Sequence, residues 1–371
     1  MDLSLNEDHM ALRDAVQRFC DGEYLAEQRG APEVPEQAAQ RWQALAELGL
    51  LGLPFSTNVG GSELGPVEVM LVAQELGRAL GGGGWLSNTV MAGFLIQRLG
   101  SSEQQELWLS ALASGELRAT VAIDESATRY DWCKIAVSAE RQEDGWTIHG
   151  RKTLVLHGDI SDLLVVVARS AGHPGQRDGL AVYVVKAKSA GVQVQGFDTL
   201  DGRRAAHIEF NNAPAQLLGE VDNAADAVEL MLDMANAALC AEAAGAIEAL
   251  LSHTTEHLRT RKQFGVSLAK FQVLQHRVAD MAIGLEQVKS MACAAAAAVE
   301  SGDLLMTRRV VSAAKVFITQ QGRKISMDAI QMHGGMGMTD ECRVGHYTKR
   351  LMVIGQLFGD ADYHLKRVAT H

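Results

Sequence analysis

The sequence predicts an α+β protein in which a helical segment, a β segment and a second helical segment follow one another along 371 residues. Apolar residues recur at helical spacing near both ends, and short β-branched runs fill the middle. The apolar fraction of 47% is sufficient for more than one hydrophobic core. A chain of this length and composition is expected to fold into two or three domains.

Residues 1–117 are predicted to form the first, helical domain. From Asp8 to about Gly115 the apolar residues recur every three or four positions, as in HMALRDAVQRFC and EVMLVAQELGRAL. Pro54 and the pair Gly60–Gly61 interrupt this pattern. The segment is therefore expected to contain several amphipathic helices.

The middle and C-terminal segments differ in composition and in the spacing of their apolar residues. Residues 118–220 contain short runs such as DLLVVVAR and LAVYVVK between Gly, Asp and Asn, which predicts a small, mostly antiparallel, barrel-like β domain. Residues 221–371 return to long helices rich in Ala, Leu and Met, which predicts a C-terminal four-helix bundle.

Composition argues against several classes of function. The formal charge of −11 argues against a nucleic-acid-binding surface. The acidic start MDLSLNEDHM contains no apolar signal segment, which predicts a cytoplasmic location. No membrane span is expected, because the longest charge-free stretch, Ala79 to Gln97, contains GGGG and several polar residues. The five scattered cysteines form no CxxC pair, so they are expected to be reduced, with neither a disulfide framework nor a zinc site.

Two C-terminal segments resemble the acyl-CoA dehydrogenase family: RTRKQFGVSLAKFQVLQHRVADM (259–281) and QMHGGMGMTDECRVGHYTKRL (331–351). The order of segments and the passage from Gly150 to Asp162 also fall where that family has them. Four shorter segments resemble the branch of the pimeloyl-CoA dehydrogenase small subunit: ESATRYD, DGRRAA, AEAAG and LFGDADYH. The resemblance implies FAD as cofactor, an acyl-CoA substrate, and an electron-transfer flavoprotein or similar acceptor. It also implies a dimer or dimer of dimers, formed by one chain or with a paralogous chain.

The first of these segments implies half of an FAD site. Arg261 and Gln263 supply a guanidinium and an amide beside the aromatic Phe264, which suits a pyrophosphate next to a flat ring. In the family this segment reaches FAD across a dimer interface. The alternative is that Arg261 is a cation at a helix end and Phe264 a core residue, but the neighbouring FQVLQHRVADM favours the cofactor.

The second segment implies the other half of the FAD site. Gly334 and Gly335 would allow backbone N–H groups to approach a ligand, and the Gln331 amide would bind the adenine half of FAD. The alternative is a glycine-rich break in a helix.

The β-domain loop departs from the family. The family's Thr-Glu-Pro-x-x-Gly-Ser-Asp aligns on Asp124 to Asp131 and shares only Glu125 and Asp131 with it. The family's Trp-Ile-Thr aligns on residues 154–156, here Leu-Val-Leu. Flavin contacts are therefore expected mainly from the backbone. Arg129 is a candidate for binding a CoA phosphate or a substrate carboxylate, the alternative being a solvated arginine.

Dehydrogenation of a thioester requires a base for the α proton. The two positions that carry this base in the family align on Gly359 and Ala235, and neither has a carboxylate. Glu242 is the only charged residue between Asp233 and Glu248, about two helical turns from Ala235 on the same face. Glu242 is therefore the predicted base, with a pKa raised by burial. The alternative is a structural glutamate paired with an arginine.

Asp360 is the second candidate for the base, because it is adjacent to the vacant position. The Gly359 N–H is expected to remain a donor to the thioester oxygen, and its missing side chain to leave room for a bulky acyl group. Two other functions stay open: a catalytically silent subunit that completes sites in a hetero-oligomer, and a flavin oxidase or monooxygenase.

Overall fold

A computed structural model describes residues 5–24, 35–143, 145–221 and 224–370. Its contacts divide the chain into two units, one formed by residues 1–32, 65–82 and 236–371 and the other by residues 33–64 and 83–235. We call the first the helical unit and the second the β unit. The three domain ranges expected from the sequence stay a prediction.

In the β unit, helices precede a seven-stranded sheet. The helices are α2 (Pro35–Glu47), a π-helix (Leu86–Gly93) that continues into α4 (Phe94–Leu99), and α5 (Ser102–Ala113). The strands are β1 (Ala119–Ala122), β2 (Ser138–Gln142), β3 (Gly145–Leu156), β4 (Leu163–Arg169), β5 (Leu180–Lys186), β6 (Val192–Asp198) and β7 (Arg204–Leu218).

Five of these strands close on themselves in the order β4, β2, β3, β7, β5 and back to β4. The β2–β3, β3–β7, β5–β7 and β4–β5 pairings are antiparallel, whereas β4 runs parallel to β2 and to the additional strand β1. Strand β6 extends the sheet along β7. Every residue of β4 is buried, so this strand forms the centre of the core.

The helical unit contains the longest helices. Its elements are α1 (Glu7–Glu23), α3 (Pro66–Ala79), most of α6 (Ala225–Thr260), a small hairpin of β8 (Lys262–Gln263) and β9 (Val266–Ser267), α7 (Gln272–Glu300), α8 (Leu304–His333), α9 (Arg343–Ile354) and α10 (Ala361–Ala369). Gly77 of α3 and Gly245 of α6 have no space for a Cβ, because each faces backbone of the other helix. The two helices therefore touch through their backbones.

The predicted α+β class, with helical, β and helical segments in that order, is confirmed. Two helices, α6 and α7, are long and apolar enough to cross a bilayer by length and composition alone. In α6 the most apolar window is 83% buried within the protein, which is also typical of a core helix. The expected absence of a membrane span stays a prediction.

Candidate active site and flavin-binding segments

Glu242 lies in the buried middle of α6 and faces Arg350 of α9. The Arg350 Nε and Nη2 atoms donate to Glu242 Oε1 and Oε2, each over 2.7 Å. Both residues are almost fully buried, at 7% and 3% exposure. The guanidinium places a positive charge against the carboxylate and engages one lone pair on each of its oxygens. This geometry agrees with the structural alternative for Glu242, while its role as base stays a prediction.

The turn between α9 and α10 carries Gly359, at the position where other family members carry the base. Gly359 is buried with φ of +124°, and a Cβ added to it would collide with the Tyr363 ring and lie 2.6 Å from His364 Nε2. The Tyr363 and His364 rings lie where that Cβ would be, and the expectation that the missing side chain leaves room for a bulky acyl group stays a prediction. The Gly359 N–H forms no hydrogen bond within the described ranges, so it can still serve as a donor.

Asp360, the second candidate for the base, caps α10. Its side-chain Oδ1 accepts a hydrogen bond from the Tyr363 backbone N–H over 2.8 Å. This is the usual N-cap role of aspartate, whose carboxylate satisfies a free N–H of the first turn. The structure thus gives Asp360 a structural role, and a catalytic role for it stays a prediction.

Lys315 of α8 forms hydrogen bonds close in sequence to both Gly359 and Ala235, the two positions that lack the family's carboxylate. Its ammonium group donates to the Leu357 carbonyl over 2.8 Å and to Asn236 Oδ1 over 3.0 Å. Leu357 precedes Gly359 by two residues, and Asn236 follows Ala235 in α6. Burial at 1% exposure lowers the pKa of Lys315 to about 8. Sequence reasoning missed this residue, although a single lysine inside the apolar run SAAKVFI was a visible signal.

The residues predicted to bind FAD in the first segment are exposed. Arg261, Gln263 and Phe264 lie at the end of α6 and on the β8–β9 hairpin. Phe264 is 91% exposed with φ of +52°, and its ring meets Phe271 edge to face at 6.2 Å between centroids. A core role for Phe264 within this chain is therefore excluded. The exposed ring is available for a contact with a ligand or a second chain.

The second predicted FAD segment lies at the end of α8. Gln331 is exposed, and a Cβ added to Gly334 or Gly335 would meet no atom within 4 Å. The His257 ring in the last turn of α6 stacks on the His333 ring, with 4.2 Å between centroids and 24° between planes. The structure therefore brings the two predicted FAD segments together, through a pair of histidines that sequence reasoning missed.

In the β unit, a buried ion pair fixes the loop that departs from the family. Lys152 of β3 donates to Glu125 Oε1 over 2.8 Å, and Glu125 also accepts from the backbone N–H groups of Ala136 and Val137. Burial raises the pKa of the neighbouring Asp124 to about 6. Arg129 is exposed with φ of +38°, so its proposed binding of a phosphate or carboxylate stays a prediction.

Models of three domains of one family match this chain. They are the acyl-CoA dehydrogenase N-terminal domain at residues 6–116, the middle domain at residues 120–213 and the C-terminal domain at residues 225–371. The chain belongs to the acyl-CoA dehydrogenase family. It is thus an FAD-dependent oxidoreductase of acyl-CoA catabolism.

Individual relatives are similar to this acyl-CoA dehydrogenase over most of their length. It is 27% identical to mitochondrial isovaleryl-CoA dehydrogenase of Pongo abelii, covering 97% of this chain and 90% of the relative. It is 29% identical to mitochondrial isobutyryl-CoA dehydrogenase of Bos taurus, covering 82% and 74% respectively. It also matches a chain in the ChsE4-ChsE5 complex from Mycobacterium tuberculosis with a TM-score of 0.88 at 25% identity, covering 100% and 98%.

The chemistry of the two predicted segments fits FAD. The segments combine an exposed guanidinium, exposed amides and an exposed aromatic ring with two glycines that leave open space. Such donors suit a pyrophosphate, and the bare backbone and the ring suit flat heterocycles. FAD supplies a two-electron acceptor when bound. The assignment of these residues to FAD stays a prediction.

Proposed function

We propose that this acyl-CoA dehydrogenase forms trans-2-enoyl-CoA in a hetero-oligomer, and that a paralogous chain supplies the base. The observation that carries the proposal is the bidentate Glu242–Arg350 pair. It occupies the carboxylate predicted as the base, while Gly359 and Ala235 provide none. The ChsE4-ChsE5 complex, whose two components bear different names, also supports an assembly of two different chains.

In the reaction, a carboxylate would take the α proton, bound FAD would supply the acceptor for the β hydrogen as hydride, and a double bond would form between the two carbons. The Gly359 N–H is a suitable donor for the thioester oxygen because it is buried and has no acceptor within the described residues. Arg261, Gln263 and Phe264 would hold FAD across a subunit interface. An electron-transfer flavoprotein or a similar acceptor would reoxidise the cofactor.

The test compares the purified chain with the same chain coproduced with a paralogous acyl-CoA dehydrogenase subunit. Each sample is mixed anaerobically with a panel of acyl-CoAs while flavin absorbance is followed. We expect bleaching in the coproduced sample and none in the isolated chain. Rapid bleaching of the isolated chain would contradict the proposal.

The second candidate is that Glu242 is the base of this chain's own site. Its position on the buried face of α6, two turns from Ala235, favours this function. Glu242→Gln would then lower the bleaching rate by roughly 10²–10⁴-fold with FAD content unchanged. Under the first proposal, the same substitution in the coproduced complex leaves the rate within about threefold, apart from any loss of folded protein measured by circular dichroism.

A further inference from the structure

The two predicted FAD segments meet through a stacked pair of imidazole rings. His257 belongs to the last turn of α6, and the Arg261 N–H donates to its carbonyl over 2.9 Å. His333 is the last residue of α8 and directly precedes Gly334 and Gly335. The β8–β9 hairpin begins one residue after Arg261. The stack therefore joins residues that adjoin both predicted FAD segments.

Both rings have pKa values below the ordinary value of histidine, which favours the neutral form. Burial lowers the pKa of His257 below its ordinary 6.5, and the charges of His333 and Arg261 lower it further. Burial also lowers the pKa of His333, against a partial rise from the hydrogen bond with the Ala329 carbonyl over 2.8 Å. Since a carbonyl only accepts, His333 Nδ1 carries the proton of the neutral ring.

Acid converts this contact from attraction to repulsion. Neutral imidazoles at 4.2 Å stack favourably, whereas two imidazolium ions at that distance repel each other and the Arg261 guanidinium. Because both folded pKa values lie below the unfolded value, the folded contact loses stability as pH falls through about 6.5. The loss is complete once pH is below the folded pKa values.

We propose that His257 and His333 are positioning residues that hold the β8–β9 hairpin beside the end of α8, and that acidification separates them and releases FAD. This inference rests on the proposed assignment of Arg261, Gln263 and the Gly334–Gly335 turn to FAD. Neither histidine is assigned a contact with the cofactor. Their effect is to fix the spacing of the groups that make those contacts.

The experiment measures FAD dissociation from the purified holoprotein by flavin fluorescence between about pH 7.5 and about pH 5.5. We expect the dissociation constant of the parent to rise at least about tenfold on acidification. The double variant His257→Phe with His333→Phe keeps two stacked flat rings without titration, so it should bind FAD tightly at both pH values. His333→Ala should bind FAD weakly at both. His173→Ala removes an exposed histidine of the β unit and should behave like the parent.

Tighter FAD binding in acid would overturn the proposal, because it would mean that the imidazolium charges attract the pyrophosphate. Equal acid sensitivity in the double phenylalanine variant would also overturn it. Nuclear magnetic resonance of ¹³C-labelled histidine provides a readout that needs no activity. His333→Ala should raise the titration midpoint of His257, and an unchanged midpoint would show that the rings do not interact in solution.

These outcomes separate the inference from the functional proposal on which it rests. If Arg261→Ala leaves FAD affinity unchanged, the cofactor assignment of the hairpin fails. If Arg261→Ala weakens FAD binding but His333→Ala does not, the assignment stands and the positioning role of the histidine pair is wrong. Circular dichroism of each variant at both pH values excludes general unfolding as the cause of FAD loss.

Discussion

The middle and the C-terminal end of helix α6 differ in whether their polar side chains are buried and paired or exposed. In the middle, Glu242 is buried and both its carboxylate oxygens are bound by Arg350. At the end, Arg261 and Gln263 are exposed and lead to an aromatic ring that is 91% exposed. One helix therefore combines a closed ion pair, suited to holding the fold, with an open surface, suited to binding cofactor or partner. Conspicuous charge in a sequence does not by itself separate these two roles.

The largest effect is expected when one member of the Glu242–Arg350 ion pair in the middle of α6 is removed. Arg350→Met should lower the free energy of unfolding by about 3–5 kcal/mol, because the buried Glu242 carboxylate loses the guanidinium that binds both of its oxygens. Urea denaturation followed by circular dichroism measures this loss. The double variant Glu242→Met with Arg350→Met should recover most of it. A loss below about 1 kcal/mol in the single variant would show that the pair is accessible to water, which would break the comparison.

The second-largest effect is the pH dependence of the free energy of unfolding that the buried Lys315 ammonium group causes. Its pKa is about 8 in the folded protein against 10.5 ordinarily, so the unfolded chain binds more protons between these values. This contribution to the free energy of unfolding should therefore rise with pH by about 3 kcal/mol over that range. Burial raises the pKa of neighbouring Cys240 to about 12, which acts in the opposite direction above its ordinary value of 9.0.

The Lys315 effect is isolated by subtraction. The difference in unfolding free energy between the parent and Lys315→Met, measured by urea denaturation at several pH values, should increase steadily from about pH 8 to about pH 10.5. If the difference in unfolding free energy did not change with pH, Lys315 would titrate at its ordinary pKa and its site would be accessible to water.

Two glycine substitutions compare the crowded turn at Gly359 with the uncrowded turn at Gly335. Gly359→Ala should cost about 1–3 kcal/mol, because its Cβ collides with the Tyr363 and His364 rings and its φ is +124°. Gly335→Ala should cost under about 0.5 kcal/mol, because its Cβ meets no atom within 4 Å. Thermal unfolding of the two variants measures both effects. Equal costs would remove the distinction between the two turns.

The smallest effect on stability is expected at Phe264. Phe264→Ser should change the unfolding free energy by less than about 0.5 kcal/mol, because the ring is 91% exposed. It should nevertheless weaken FAD retention and self-association, measured by flavin absorbance and light scattering. A large loss of stability with unchanged FAD and assembly would indicate that the ring packs within its own chain.

Local patterns predicted the elements better than they predicted the partners of individual side chains. The helical spacing around Glu242 predicted both a helix and burial, and the structure shows both. Its partner Arg350 is 108 residues further along the chain, and no local pattern encodes a pairing over that distance. The choice between a base and a structural carboxylate depended on that contact, so the sequence left both readings open.

Other features were accessible from the sequence in principle. Asp360 directly precedes a short helix, and aspartate at that place is a common N-cap. Lys315 was visible as a lysine among apolar residues. The rings that fill the space at Gly359 were not accessible, because they depend on how the turn folds back onto α10. Sequence spacing shows that a side chain is missing but not what replaces it.

The bond from Lys315 to the Leu357 carbonyl also limits the fraction of molecules in which the turn that carries Gly359 is open. Opening this turn would remove one of the two acceptors of a buried ammonium group. A hydrogen bond to a charged group contributes up to about 3 kcal/mol, which corresponds to about one open molecule in a hundred. The turn is therefore expected to be closed in nearly all molecules at any moment, which holds the Gly359 N–H in one position.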